Sequence, residues 1–336
     1  MNRERIVWID VVKGLLIMSV ILGHCIQETL KVRELGFDDN FWRNLIYSFH
    51  MPAFMAMSGY VAYRPDRING GGKLYLIAKR FRQLIIPFIL WSIPLFLICK
   101  NVDNLWDYVL YPNNGFWFLW ALFFIIVVFE FTDNLCQKIH IKQEIGITIV
   151  AGFLIGTQLT LPDAKFLGYE YIAYYFIFYM MGFYCSKYNS KMPKNIYVVG
   201  GLFALWFILA FFWTPNGIPF FLKVVPYVPS VVVRMLYRMI VPVVFIIAMV
   251  SAGSRMSAGV SQGWRLLIEF GQVSLGIYVV HMVVKNLFAQ WIILMFPNLS
   301  MVWCVLIEFV ILTILSLIVV RQLMKIKITS RYMLGK

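Results

Sequence analysis

Charge is scarce in this chain. Only 14% of its 336 residues are Asp, Glu, Lys or Arg, against roughly a quarter in a soluble globular domain. So little polar surface cannot cover the apolar remainder, which argues against a soluble helical bundle. Cysteine is sparse too. Cys25, Cys99, Cys136, Cys185 and Cys304 show none of the paired spacings of a metal site or a disulfide framework, so no metal is expected. Long linkers, low-complexity tracts and repeated halves are absent, and no connector is long enough for a further soluble domain. The expectation is one membrane domain over residues 1–336. The first apolar run is interrupted by Asp10 and Lys13 and is not followed by a small-residue cleavage site, so it reads as a retained helix and not as a signal peptide.

What is present is apolar. Hydrophobic residues make up 61% of the chain and the mean hydropathy is +0.77. They fall into runs near the ~20 residues that cross a bilayer core. These runs predict an all-α polytopic protein of about ten transmembrane helices, near 6–27, 42–63, 76–98, 115–131, 145–161, 169–186, 196–213, 232–252, 271–296 and 300–321. The net charge of +14 has a matching explanation. If the N-terminus is inside, five of the 30 Lys and Arg lie outside (Lys31, Arg33, Lys100, Lys165, Lys223) and five lie in or beside helices (Lys13, Arg43, Arg234, Arg238, Lys285), leaving 20 inside. That bias places both termini in the cytoplasm and makes nucleic acid an unneeded partner; membrane lipids are the expected one.

Charged side chains at mid-bilayer cost about 2.5–3.5 kcal/mol each on insertion scales, so those present usually face a cavity or a partner. Lys13 and His24, 11 residues apart in the first helix, project from one face about 16 Å apart in depth. Alone, the pair is equally well read as a snorkelling lysine and an interfacial histidine. In the ninth helix Ser274, Tyr278, His281 and Lys285 form a polar stripe, and Glu308 in the last helix is a candidate partner for a histidine. His50 and His281 can each be read as catalytic, substrate-positioning or structural. Arg234 and Arg238 could grip an anionic sugar or a lipid phosphate, or contact head groups.

Lys13-x10-His24 resembles the first-helix motif of the acyltransferase type 3 family, integral-membrane enzymes that move acetyl groups onto sugars. Phe49-His50-Met51-Pro52-Ala53-Phe54 with Ser58-Gly59-Tyr60 resembles that family's second helix, and Lys79 to Phe88 its basic entry to the third. Trp117-Phe118-Leu119 and Ser274 to His281 are similar to later motifs. One departure stands out: where the family's basic segment often carries a second arginine three residues on, this chain has Gln83.

The resemblance implies acetyl-CoA as donor and a cell-envelope saccharide or lipid-linked glycan as acceptor, in a bacterial inner membrane. Lys79, Arg80 and Arg82 would hold the phosphates of the cofactor, and Lys13 would line the path of its thiol arm. A neutral alcohol needs a base to become a nucleophile, and histidine suits that task. His24 is the expected base, with Asp10 or Glu28 orienting it and His281 as a second catalytic residue. His50, Tyr278, Lys285, Arg234, Arg238 and Glu308 are expected toward the substrate. The competing reading is a ten-helix secondary transporter of a small polar or anionic solute.

Overall fold

The computed structural model describes residues 6–36, 40–63, 72–99, 102–161, 164–223, 228–256, 262–295 and 297–336. Arg3, Arg5, Arg64, Arg67 and Lys100, which enter the charge bias, lie outside the described residues, as does position 296 at the end of the expected ninth span. Among the described residues every regular element is a helix and no strand occurs. In chain order these are α1 (Val7–Val32), α2 (Phe41–Tyr47), α3 (His50–Ala62), α4 (Lys73–Arg80), α5 (Ile86–Cys99), α6 (Asp107–Leu110), α7 (Trp117–Lys138) and α8 (Gln143–Thr160). They continue with α9 (Tyr169–Lys187), α10 (Ile196–Phe211), α11 (Ser230–Arg255), α12 (Arg265–Gln272), α13 (Ser274–Met295), α14 (Met301–Lys325) and α15 (Lys327–Tyr332).

Among the described residues six helical stretches are long and apolar enough to cross a membrane: α1, the run Lys73–Cys99, α7, α11, α13 and α14. Each of the ten apolar segments is helical, but three are not simple rods. The segment expected over 42–63 breaks at Phe49, whose φ of −135° ends α2. Side chains at the break reach back to carbonyls of the last turn of α2: Ser48 Oγ donates to Leu45 O, and His50 Nδ1 lies 2.7 Å from Ile46 O, which also accepts from Phe49 N–H. Between α4 and α5 the chain makes a π-helical turn at Phe81–Ile85, with Ile86 N–H donating to Phe81 O. Such one-turn bulges often mark functional positions. The segment expected from 271 is the end of α12 and then α13, divided at Val273.

α1 is buried on nearly every side, through Trp8, Ile9, Leu16, Ile17, Val20, Ile21, Cys25, Ile26 and Leu30, the mark of a helix enclosed by others. It packs against α3, α11, α12, α13 and α14. By contrast α10 buries only Val199 and Ala210 and sits at the periphery, tied to α11 by Tyr237 Oη donating to Leu209 O at 2.6 Å.

Two crossings bring backbones into direct contact. A Cβ on Gly59 would lie 2.0 Å from Tyr179 O, and one on Gly182 1.8 Å from Ala56 O, so α3 and α9 meet only because both positions lack a side chain. Small residues serve the same purpose in membrane helix pairs generally. α1 and α12 meet alike, where Cβ atoms on Gly14 and Gly271 would strike Leu267 O and Asp10 O. The second contact fixes Asp10 and its turn of α1 against α12.

Candidate active site

α1 carries Asp10, Lys13 and His24 on one uninterrupted helix, and the adjacent α13 carries Tyr278, His281 and Lys285. Between them, at the Asp10 end, lies a cavity of about 320 Å³, the small end of the ~300–1,000 Å³ usual for ligand pockets. Its polar lining includes Asp10, Lys13, Arg80, Gln83, Tyr278 and Lys336, with apolar walls from α3, α7 and α14. Lys13, Arg80 and Lys336 bring cationic residues to the lining and Asp10 a carboxylate, with Lys336 Nζ 3.3 Å from Met324 Sδ. Arg80 Nη1 donates to Gln83 Oε1 at 3.1 Å, so the glutamine that replaces a second arginine holds the first one.

Toward the other end of α1 the His24 ring lies 5.3 Å from the His281 ring, tilted by 42°. His281 is fully buried. Its Nδ1 is 3.0 Å from Ile277 O, one turn back. A carbonyl oxygen only accepts, so Nδ1 carries a proton there and Nε2 is the ring atom left to meet a reacting group. That Nε2 is buried and has no hydrogen-bond partner among the described residues. Lys285 and His50 are further electrostatic neighbours of His24. His50 is buried, bonded through Nδ1 to Ile46 O and edge-on to Tyr47 at 4.9 Å. Tyr278 connects the two regions, since it lines the cavity and its ring is 5.8 Å from that of His281.

Behind the histidines, Lys285 Nζ is 2.9 Å from Glu28 Oε1, with both side chains largely removed from water. Glu308 is wholly buried and accepts a hydrogen bond from Thr29 Oγ1 at 3.4 Å, with the Cys25 thiol a further hydrogen-bonding neighbour. Glu28 and Glu308 therefore engage Lys285 and Thr29. Asp10 lies 14 residues from His24 on one helix, about 21 Å along the axis, and faces the cavity. Its place is at the cavity end, out of reach of the His24 ring.

Other expected site residues divide by location. Lys13 and Arg80 line the cavity; Lys79 and Arg82 flank it on α4 and the π turn without lining it. On α11, Arg238 lies with its guanidinium 5.1 Å from the Tyr174 ring, its Nε buried and unpartnered among the described residues. Arg234 Nη1 reaches Asn216 O at 3.4 Å. Neither arginine touches the cavity. Among the described residues no three His, Cys, Asp or Glu side chains are grouped to hold a metal ion.

A family model described as an acyltransferase domain matches residues 6–321. The chain belongs to the acyltransferase type 3 family. Among curated proteins, it is 30% identical over 184 residues to Nodulation protein NolL of Sinorhizobium fredii, covering 50% of this chain and 47% of that protein. It is 28% identical over 201 residues to Nodulation protein NolL of Mesorhizobium japonicum, covering 54% and 48%. The chain thus spans about half the length of the curated relatives it matches. No solved structure matches it. The matched family is one of acyltransferase domains, and six stretches among the described residues are long and apolar enough to cross a membrane; Lys13, His24 and Arg80 lie within the matched residues, while the cavity wall extends past them to Lys336.

Sequence reasoning does not reach three features of the site. Gln83 appears in the sequence as a missing arginine, whereas in the fold it lines the cavity and holds Arg80. Gln27 accepts a 2.6 Å hydrogen bond from Tyr47 Oη beside the histidines, a contact across two helices that no local spacing announces. Leu334, Gly335 and Lys336 join the cavity wall from the far end of the chain; the left-handed backbone at Gly335 (φ +67°) is their one local signature.

Proposed function

We propose that the protein is a membrane O-acetyltransferase that takes acetyl groups from cytoplasmic acetyl-CoA and passes them to a hydroxyl of a cell-envelope saccharide or lipid-linked glycan. The observation that carries this reading is the cavity lined by Lys13 and Arg80, set below the His24–His281 pair in a chain of acyltransferase ancestry. The cations complement a phosphate-bearing donor, and the cavity volume suits an acyl-carrying arm with the nucleotide left at the mouth. The positive-inside bias supports ten membrane-crossing helices with both termini in the cytoplasm, which puts the Arg80 end on the donor side. Rhizobial relatives support a bacterial inner membrane.

In this reading Arg80 and Lys13 bind the donor, with Lys79 and Arg82 adding positive potential at the mouth. His24 takes the proton of the acceptor hydroxyl as that oxygen attacks the thioester carbonyl. The new C–O bond replaces the C–S bond, and the proton held on the imidazole passes to the departing sulfur. His281 and Tyr278 orient the reacting groups from α13. Lys285 and Glu308 polarise the acceptor region together with His50, and Arg234 and Arg238 meet an anionic acceptor or lipid phosphate at the membrane edge.

The test needs no knowledge of the acceptor. The detergent-purified protein is assayed for acetyl-CoA binding and for slow release of free coenzyme A, alongside His24→Ala and Arg80→Ala. Saturable binding weakened in Arg80→Ala, with release lost in His24→Ala, is the expected result. Well-folded wild type that binds no acetyl-CoA, yet drives solute uptake in vesicles, would replace this reading with the transporter.

A further inference from the structure

The family match ends at residue 321, yet the cavity wall does not. After α14 the chain turns at Ile326, forms α15, and returns so that Met333 to Lys336 lie against the π turn and α13. Trp91 Nε1 donates to Met333 O at 2.8 Å. Leu334 is 2% exposed, and its methyl would be 3.1 Å from a Cβ placed on Gly276. Gly335 adopts φ +67°, a region other residues enter at a cost, and a Cβ there would meet Gln83 O at 2.4 Å. Three successive residues, Leu334, Gly335 and Lys336, line the cavity beside Arg80, Gln83 and Lys13.

We propose that this C-terminal segment is a working part of the acyl-donor site: Leu334 and Gly335 close the cavity at the π turn, and Lys336 adds a cation for the phosphates of a nucleotide-bearing thioester. The inference rests on the acetyl-CoA reading above. Two observations independent of that reading support it. The segment is held by a tryptophan hydrogen bond and a buried leucine, which is more than a trailing end requires. It also abuts Gln83, the residue that holds Arg80, so the tail's position and the arginine's are mechanically joined.

The test measures binding of acetyl-CoA and of acetyl-pantetheine, which lacks the nucleotide phosphates, to the full chain and to Lys336→Ala and Gly335→Val, with thermal unfolding of each. Lys336→Ala removes a cation together with its exposed contact to Met324 Sδ at 3.3 Å. It should weaken acetyl-CoA by about fivefold, the scale of a partly exposed charge pair, and leave acetyl-pantetheine unchanged. Gly335→Val cannot keep its contact with Gln83 O and should weaken both ligands. Wild type that binds neither ligand overturns the donor reading and the tail's role together. Binding in which both variants match the wild type overturns the tail's role alone, and so does equal weakening of both ligands by Lys336→Ala.

Discussion

The ring of His281 stands 5.3 Å from that of His24, with Nδ1 committed to Ile277 O and Nε2 buried and unpartnered among the described residues. An orphaned buried polar atom is costly to keep, and a reacting hydroxyl or an entering water would satisfy it. The two rings should therefore act as a unit. Replacing either by alanine should lower turnover roughly a hundred- to ten-thousand-fold, the usual weight of a positioned acid or base, while acetyl-CoA affinity holds. The double variant should lose little more than the worse single one. Multiplicative losses would mean the histidines work separately.

The Lys285–Glu28 pair makes an energetic prediction. Both side chains are mostly shielded from water, so Lys285→Met leaves a carboxylate with neither water nor a partner. A loss of about 2 kcal/mol is expected, between the values for exposed and buried pairs. Adding Glu28→Gln should restore much of it. Thermal unfolding in detergent measures both, and a double variant no more stable than Lys285→Met would show that the pair is not the cause.

Acid should expose a separate weakness. Outside the expected spans, Glu144 accepts from Lys187 Nζ at 2.5 Å and Tyr188 Oη at 2.7 Å. These bonds, the lysine's first, pull its carboxyl from an ordinary 4.5 down to about 2. A carboxyl depressed in the folded state contributes stability above its unfolded value, lost as pH falls from there through the folded one. The link between α8 and the end of α9 should weaken between about pH 4.5 and pH 2. Glu144→Gln should flatten that limb of the stability profile; an unchanged acid limb would place the sensitivity elsewhere.

Two glycines of similar appearance in the sequence should behave oppositely. Gly182→Ala puts a methyl 1.8 Å from Ala56 O, and backbone cannot yield as a side chain would. Overpacking of this kind costs about 1–3 kcal/mol. Gly152 on α8 has nothing within 4 Å of such a methyl, and alanine there should be neutral or stabilising by up to about 1 kcal/mol through helix propensity. Folded yield and thermal midpoint in detergent test the contrast. Equal tolerance at both positions would refute the α3–α9 contact.

The contrast also indicates what a sequence can disclose. The ten apolar segments are legible because hydropathy over ~20 residues is a local signal, and Lys13 and His24 are legible because helical geometry fixes their relation within one element. The break at Phe49 is set by side chains reaching back to Leu45 and Ile46, and the division at Val273 accompanies the fit of α12 against Asp10. Neither leaves a trace in apolar periodicity. Asp10 and His24 look like plausible partners until the uninterrupted length of α1 holds them apart. Glu308 reads as a histidine's partner and instead meets Thr29, because pairing depends on how α1 and α14 are rotated against each other.

That length of α1 has another consequence. Over 26 residues it has neither a proline nor a π turn, the sharpest joints at which helices bend. The Lys73–Cys99 run has both kinds, the π turn and the prolines Pro87 and Pro94. Whatever seats itself against Asp10 and Lys13 pushes on one end of a stiff rod whose other end carries His24. A tilt at the first end must appear as a displacement at the second, like a lever turning about the glycine contacts with α12.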